Sequence, residues 1–368
     1  MTTRNHLTKA FEEVDHAEPH RGRRKAILAA HPEVRDLMGY DRRTAVVAAV
    51  VVVAQLALAW TVQRLADAGH VAGSWWAIGL LAFFVGAVLA HWCAMAIHEC
   101  SHDLGAKTPT GNRLVSLLAN VPMVVPAAMS FHRYHIDHHT YLGVKVLDTD
   151  LAPSFEFKLV DNGPVRKFLI LLFFPVLYLF RGALFAKSPD RWETLNIAIM
   201  VAVNYAIFQL LGGEALLYLL ASFWFGHGIH PVAAHFIHEH YIWHEGQETY
   251  SYYGPLNHVT FNVGLHVEHH DLMNIPGWRL WELNRLAPEF YAGFKGHGSW
   301  TRTLVRYVLD ERIGPYTRRV RSEATFKRTR RDNGPPIMGP VIVPPAPEAF
   351  EPREQDAFDS RGSAVAAA

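Results

Sequence analysis

The sequence predicts an all-α integral membrane protein, with four transmembrane helices in two hairpins and a cytosolic helical cap. The apolar residues lie in blocks close to the roughly 20 residues that a helix needs to cross a bilayer. Only 19% of the 368 residues are charged, below the roughly 25% that is usual in soluble domains. Two cysteines, Cys93 and Cys100, are too few for a disulfide scaffold or a cysteine-rich metal site. The net charge of +1 favours no nucleic-acid partner.

Residues 1–43 are polar and are predicted to form a cytosolic N-terminal segment. We expect no signal peptide, because the first apolar block begins too late and no small-residue cleavage site follows it. Apolar side chains at helical spacing predict one short amphipathic helix in this segment. They are Ile27, Leu28, Val34, Leu37 and Met38. The helix would lie on the membrane surface or pack against the protein, and the spacing leaves both open.

Four apolar blocks are predicted to span the membrane. They cover residues 44–62, 75–97, 194–211 and 215–236. Two further blocks, 114–129 and 168–186, are interrupted by prolines, and the second also contains Arg181. We therefore predict that these two are interfacial or re-entrant.

The basic residues orient these four spans. Every Lys and Arg except Arg64 falls on one side of the predicted membrane. The positive-inside rule makes that side cytosolic. The predicted organisation is therefore an N-terminal segment over 1–43, a membrane domain over 44–320 and a disordered, Pro- and Arg-rich tail over 321–368.

Histidine is unusually abundant, and its spacing is the main functional signal. Of the 23 histidines, most fall within residues 91–139 and 227–270. Three clusters stand out because their members are three or four residues apart, which puts them on one face of a helix. The clusters are His98 with His102, then His135 with His138 and His139, and finally His266 with His269 and His270. Isolated histidines such as His20 and His31 are interpreted as surface or packing residues.

Eight clustered imidazoles are too many for one tetrahedral zinc with an open position. They predict a histidine-rich dimetal site held by the cytosolic cap. Imidazole binds iron, copper, nickel and zinc, so the spacing alone leaves the metal open. His235 is the preferred ninth ligand because it ends the fourth predicted span, and His240 is the alternative. His227 and His230 are interpreted as packing residues.

Two other interpretations start from the same residues. The run from His98 to His102 matches the H-E-x-x-H pattern of zinc proteases, with Glu99 as general base. An intramembrane zinc protease would leave the other two clusters without a role, so it ranks low. A non-catalytic metal-binding membrane protein is the second alternative.

The sequence resembles the membrane fatty-acid desaturase and hydroxylase superfamily, whose signature is H-x-x-x-H followed by two H-x-x-H-H boxes. Within it, the chain is most similar to the sphingolipid delta-4 desaturases, also called dihydroceramide desaturases. The similar text includes Ser130-Phe-His-Arg-Tyr-His-Ile-Asp-His-His and Asn274-Ile-Pro-Gly277. The longest stretch is Glu248-Thr-Tyr-Ser-Tyr-Tyr-Gly-Pro-Leu-Asn257. The boxes specify the superfamily, whereas residues 248–277 are specific to this group.

The resemblance implies a non-haem centre of two iron ions that uses dioxygen to convert dihydroceramide to ceramide, with a trans double bond between carbons 4 and 5. It implies that the eight box histidines are ligands. The implied acceptors of hydrogen bonds from their imidazoles are Glu99, Asp137 and Glu268. The implied lining of a lipid channel is Tyr250, Tyr252, Tyr253 and Asn257. Hydroxylation at carbon 4, or desaturation of another acyl lipid, is the alternative on the same scaffold.

The resemblance also implies partners and a location. No Rossmann glycine fingerprint or haem module is evident in the sequence, so electrons are expected from a separate protein. That donor would be a small b-type cytochrome with its reductase, or a ferredoxin in a bacterium. A multi-pass protein with its metal site on the cytosolic face is expected in the endoplasmic reticulum of a eukaryote or in the inner membrane of a bacterium.

Overall fold

The computed structural model describes residues 10–160, 163–184 and 188–331, and within them the chain is predominantly helical. The strands are β1 (Glu12–Glu13) and β2 (Arg319–Val320). The first helices are α1 (Pro19–Ala30), α2 (Arg42–Asp67), α3 (Trp75–Leu81), α4 (Ala87–Ser101), α5 (Pro109–Asn120) and α6 (Ala128–Thr140). Next come α7 (Ser154–Val160), α8 (Pro164–Leu172), α9 (Phe174–Leu184), α10 (Arg191–Leu210) and α11 (Gly213–Gly226). The last are α12 (His235–His238), α13 (His266–Asp271), α14 (Leu280–Leu286), α15 (Trp300–Leu309) and α16 (Glu323–Arg331).

Three helical stretches of the described residues are long and apolar enough to cross a membrane. They are Pro32–Asp67, Trp75–Ser101 and Arg191–Leu210. The first two predicted spans fall within them, and the third, 194–211, extends one residue past the end of the last stretch. The second stretch joins α3 to α4 through a π-helical turn, Ala82–Gly86. The third begins at a capping box in which Asp190 and Glu193 satisfy each other's backbone N–H groups. The charged residues of this helix therefore lie in its first turn, before the apolar sequence.

The fourth predicted span differs from the structure. Apolar sequence continues to residue 236, but α11 ends at Gly226, after 14 residues, about 21 Å at the helical rise. Pro231 and a turn follow. A Cβ at Gly226 would lie 2.5 Å from the Ala87 carbonyl oxygen, so glycine allows α11 to approach α4 closely. Hydropathy alone could not separate a helix buried in this way from one that crosses the bilayer.

The two interrupted blocks form bent and broken helices. Helix α5 and the short turn after it are bent by 117° from α6, so together they form a broken span or a re-entrant segment. Counting that pair as one span gives four candidate spans among the described residues. The described part of the block 168–186, up to residue 184, is divided between α8 and α9, neither of which is long enough to cross alone.

Polar contacts join the apolar helices. Gln55 on α2 donates to the Gly86 carbonyl in the π-helical turn, at 3.1 Å. The same amide accepts a hydrogen bond of 2.8 Å from the Tyr218 hydroxyl on α11. These groups have no water to bind in a bilayer, so their mutual hydrogen bonds fix the relative positions of three helices.

The N-terminal segment packs on the third histidine cluster. Helix α1 contacts α13, and β1 pairs in parallel with β2 near the other end of the chain. The amphipathic helix predicted here buries Ile27, while Val34 and Leu37 are buried in the short turn that follows. The predicted disordered tail begins differently, because residues 323–331 form α16. The rest of that tail, 332–368, lies outside the described residues.

Candidate metal centre

The structure brings nine histidines together in two adjacent groups. The first histidine group is His98, His102, His135, His139 and His269. The second histidine group is His138, His240, His266 and His270. Within each group, one ligand atom per residue lies within 4.8 Å of all the others. The eight box histidines thus meet in one region, as their spacing predicts, and His240 joins them.

The helices explain how the boxes are shared between the groups. Residues four apart on a helix project in nearly the same direction, whereas consecutive residues diverge by about 100°. On α6, His135 and His139 therefore face the first group, and His138 faces the second. On α13 the assignment is reversed. His266 and His270 face the second group, and His269 faces the first.

The nitrogens within each group are close together. In the first group, His135 Nε2 lies 2.9 Å from His102 Nε2 and 3.1 Å from His139 Nε2. In the second, His240 Nε2 lies 3.1 Å from His138 Nε2 and 2.9 Å from His266 Nε2. A ring nitrogen carries either one hydrogen or one lone pair in its plane, so it cannot form a directed hydrogen bond to two neighbours at once. Lone pairs that converge on a shared cation account for these contacts.

The separations also bear on the coordination geometry. Two nitrogens about 2.1 Å from one ion lie about 3.0 Å apart at a right angle, and about 3.4 Å apart at a tetrahedral angle. The shortest pairs match the right angle. His98 Nε2 and His270 Nε2 are also buried, and neither has a hydrogen-bond partner within the described chain. Five and four converging imidazoles therefore fit two metal ions that each take several nitrogen ligands.

Carboxylates serve the second group in particular. Asp148 Oδ1 accepts a hydrogen bond of 2.9 Å from His138 Nδ1, and Glu239 Oε1 lies 3.2 Å from His266 Nδ1. Burial would raise the pKa of Asp148, but His138 and Arg318 hold it below its ordinary value. Burial raises the pKa of Glu239 well above its usual range, and nearby Asp150 adds to that rise. Residue spacing gave no sign of either carboxylate, because both lie outside the boxes.

Two of the three predicted carboxylate acceptors, Glu99 and Glu268, bond to groups other than the clustered imidazoles. Glu99 Oε2 accepts a hydrogen bond of 2.9 Å from the Gly277 N–H, which ties α4 to the loop after the third box. Glu268 accepts hydrogen bonds from the Ser251 hydroxyl at 2.6 Å and the Tyr253 hydroxyl at 3.0 Å. Asp137 is half-buried on α6. Because Glu99 is bonded to the Gly277 N–H, it does not suit the role of general base in a zinc protease. The zinc-protease alternative therefore lacks its base.

His235 lies outside both groups. Its ring packs against Phe236, with 3.8 Å between centroids, and against His91, at 4.6 Å. It does line a small cavity of about 30 Å³ that adjoins both groups. The other lining residues are His98, Phe131, Tyr134, His135, His138, Thr149, Asp150, Tyr178, Phe236, Glu239, Val263 and His266. The cavity combines box imidazoles with both polar and aromatic walls.

The residues predicted to line a lipid channel lie in a tightly bonded loop. The Tyr250 hydroxyl bonds to the backbone of His244. Tyr252 stacks on Trp300, with 4.2 Å between ring centroids. Asn257 donates to the Tyr252 carbonyl and accepts from the Gly264 N–H, which fixes the turn that leads into the third box.

Comparisons with known proteins agree with this geometry. The sequence model of the fatty acid desaturase family matches residues 74–332. The chain belongs to the fatty acid desaturase family. A second model, described as sphingolipid delta4-desaturase, matches residues 8–43. Membership of the fatty acid desaturase family makes the chain an oxidoreductase, and its apolar helices are those of a membrane protein.

Three relatives illustrate the similarity. A sphingolipid delta(4)-desaturase of Drosophila melanogaster is 40% identical over 311 residues, or 84% of this chain and 94% of the relative. A DES1-like protein of Oryza sativa subsp. japonica is 40% identical over 82% of this chain and 89% of its own length. A sphingolipid delta(4)-desaturase/C4-monooxygenase of Homo sapiens is 41% identical, with 84% and 94% covered.

Proposed function

We propose that the chain is a sphingolipid delta-4 desaturase that converts dihydroceramide to ceramide. The observation that carries the proposal is about 40% identity, over more than four fifths of the chain, to proteins named sphingolipid delta(4)-desaturases. The convergent imidazoles give the chemistry a location. The overall reaction removes two hydrogens from carbons 4 and 5, takes up dioxygen, two electrons and two protons, and releases two waters.

We propose that the nine histidines of the two groups hold two iron ions. Bound iron would supply the dioxygen activation that breaking an unactivated C–H bond requires, which side-chain acids and bases cannot provide. His240 is proposed as the ninth ligand in preference to His235, because its Nε2 is within 3.1 Å of two other box nitrogens. Membership of the fatty acid desaturase family and a ligand set made of imidazoles, which iron accepts, support this proposal.

The carboxylates around the second group are proposed to orient its imidazoles. A ligating histidine commonly donates its second ring N–H to a carboxylate, which fixes the tautomer. Asp148 would do so for His138, whereas Glu239, which lies 3.2 Å from His266 Nδ1 without a hydrogen bond to it, is proposed to act on His266 through its position alone. Glu99 and Glu268 are proposed to secure the loops around the third box, in keeping with their partners Gly277 and Ser251.

The reacting carbons are proposed to lie at the cavity between the groups. Carbons 4 and 5 of dihydroceramide are only one and two bonds from carbon 3, which carries a hydroxyl, and they lie close to the amide. A site for these carbons therefore needs polar groups nearby. Asp150, Tyr178 and Glu239 supply them in the cavity wall. The loop contacts of Tyr250, Tyr252 and Asn257 support a structural role instead of contact with lipid.

The proposed topology keeps four spans in two hairpins, with α11 as part of the fourth and the histidine groups in a cytosolic cap. The segments 1–43, 44–320 and 321–368 remain the proposed organisation. The one-sided Lys and Arg distribution supports this orientation. The proposed partners are dioxygen, the bilayer and an external electron donor, either a b-type cytochrome with its reductase or a ferredoxin. The proposed location is the endoplasmic reticulum or a bacterial inner membrane.

The test is to express the full chain in a host that makes dihydroceramide but has no delta-4 desaturase of its own. The electron donor should be co-expressed. Lipid mass spectrometry should then detect ceramide, which has two hydrogens fewer than dihydroceramide. A matched strain carrying His138→Ala and His139→Ala should make none. Iron-loaded wild-type protein that leaves dihydroceramide unchanged, with either donor present, would contradict the proposal.

Hydroxylation at carbon 4 is the second candidate, because the relative from Homo sapiens is named both a desaturase and a C4-monooxygenase. Both outcomes begin with hydrogen removal at carbon 4 and differ only in whether oxygen is inserted or a second hydrogen leaves. The same lipid analysis distinguishes them, because the hydroxylated product gains one oxygen.

A further inference from the structure

The N-terminal segment from residue 12 to residue 38, called the strap here, contacts the second histidine group through His20. Its strand β1 is anchored on β2, and its helix α1 lies against α13, which presents His266 and His270. His20 on α1 is only 3% exposed. Its ring centroid is 5.0 Å from that of His270. A histidine with no local cluster is therefore packed directly on a proposed ligand.

Both ring nitrogens of His20 have partners. Nδ1 lies 2.7 Å from Asp271 Oδ1, and Nε2 lies 2.8 Å from the Thr249 hydroxyl. Neither nitrogen is therefore free to bind a metal. Instead, the imidazole links three separate parts of the chain: the strap, the loop that contains Thr249, and the residue directly after His270.

Asp271 receives a second contact from the strap. The Arg23 Nε donates to Asp271 Oδ2 at 2.6 Å, and the Asp271 side chain is fully buried. One charged hydrogen bond and one imidazole thus restrain both carboxylate oxygens. Removing either partner would leave a buried carboxylate incompletely bonded, which is costly.

Apolar packing holds the strap over the same helix. Ile27, Val34 and Leu37 share one hydrophobic cluster with residues on both sides of the third box. The latter include Leu265, Val267, Leu272, Ile275, Leu280 and Leu283. The contact is therefore continuous, and His20 lies within a well-packed interface.

The family comparison adds an independent observation. The general fatty acid desaturase model begins at residue 74, whereas the sphingolipid delta4-desaturase model covers residues 8–43. The strap lies wholly within the second model. The segment by which the sphingolipid branch is recognised is thus the one that packs on the second histidine group.

We propose that His20 is a positioning residue that holds His270 in place through Asp271, so that the strap completes the second metal site. This inference rests on the proposed two-iron centre. His20 is not proposed to contact substrate or metal. It acts by holding α13, and with it the ring of His270, in a fixed orientation. Outer contacts of this kind typically change metal affinity about 10–100-fold.

The test measures Co²⁺ binding to the purified, metal-free full chain in detergent. His20→Ala should weaken binding of one of two ions about 10–100-fold and leave the other unchanged. His20→Asn keeps a nitrogen near the position of Nδ1, so it should restore binding. His20→Gln extends instead toward Thr249 and should restore less. The control is His31→Ala, which removes another strap histidine that pairs with exposed Glu289.

The outcomes separate this inference from the proposed function. Unchanged binding in His20→Ala, or equal losses in His20→Ala and His31→Ala, would overturn the inference. Failure of His20→Asn to restore binding in a folded protein would do the same. Two bound ions in a wild-type protein that leaves dihydroceramide unchanged would contradict only the proposed function. A wild-type chain that binds no ion would overturn both.

Discussion

The first and second histidine groups are held in different ways. Four members of the first are i,i+4 pairs, His135 with His139 on α6 and His98 at the end of α4 with His102 at its C-cap, so helices of 13 and 15 residues fix most of their side-chain directions. The second takes only His138 from a long helix, α6, and its other members come from α13, of 6 residues, and from His240 just beyond α12, of 4 residues. Within the described chain, the carboxylates at ion-pair distance from group members, Asp148 and Glu239, both contact this second group.

The difference indicates how a metal site is built where long helices are lacking. Regular helices position imidazoles through spacing alone, whereas short elements need hydrogen bonds from distant residues. All four members of the second group are buried, so each unpaired nitrogen there would also lack water. The first group is therefore encoded locally, and the second depends on contacts such as those from Asp148 and the strap.

The largest expected effect comes from replacing two adjacent histidines that belong to different groups. The double variant His138→Ala and His139→Ala removes one ligand from each group and should lose both iron ions and all activity. The pair His138→Ala and His240→Ala affects only the second group, so the protein should keep one ion. Iron analysis of the purified variants decides between these results. Equal iron content in the two double variants would contradict the assignment of neighbours to different groups.

The next effect compares two histidines five residues apart. His240→Ala removes a nitrogen that lies within 3.1 Å of two others, so it should abolish product formation and lower the iron content. His235→Ala removes a ring that packs on Phe236 and should leave the iron content unchanged. Iron loss in the His235 variant alone would restore it as the ninth ligand.

A smaller effect is expected from the carboxylate beside His138. Asp148→Asn keeps the size of the side chain but removes the charge that favours the Nδ1–H tautomer. We expect the affinity of the second group for metal to fall about 10–100-fold. Titration of metal-free protein measures it, and Glu99→Gln is the matched carboxyl-to-amide control. The second group would be shown to need no carboxylate support if both variants bound metal equally well.

The smallest effect on the metal is expected at Glu99. Glu99→Ala leaves the buried Gly277 N–H without its acceptor, which should lower the free energy of unfolding by about 1–3 kcal/mol. The iron content should be unchanged, because Glu99 contacts a loop and no member of either group in the described chain. The thermal midpoint and the iron content, measured on the same sample, test this. Complete iron loss with a normal midpoint would return Glu99 to a role at the metal.

Local patterns carried much of the prediction. The three boxes and the first three spans could be read from the sequence, because periodicity and hydropathy depend on neighbouring residues. His240 was only the alternative ninth ligand, since it follows a four-residue helix and the chain has no regular period there. Asp148 lies in a loop, and no spacing relates it to His138.

Other features depended on distant packing. The fourth predicted span overran α11, because hydropathy does not register the close contact of Gly226 with Ala87. His20 was interpreted as a surface or packing residue, and its partner Asp271 is 251 positions away along the chain. Contacts of this kind form only when the chain folds, and local sequence patterns cannot predict them because the two partners are far apart in the sequence.

Helices α6 and α13 each contribute histidines to both groups, and this has a mechanical consequence. On α6 and again on α13, one peptide step of about 3.8 Å between Cα atoms separates a histidine of the first group from one of the second. If each group binds an ion, two stretches of covalent backbone would limit the distance between the two ions. Bending or sliding of the bundle in bilayers of different thickness would carry both ions together, and their spacing would remain that of the chain itself.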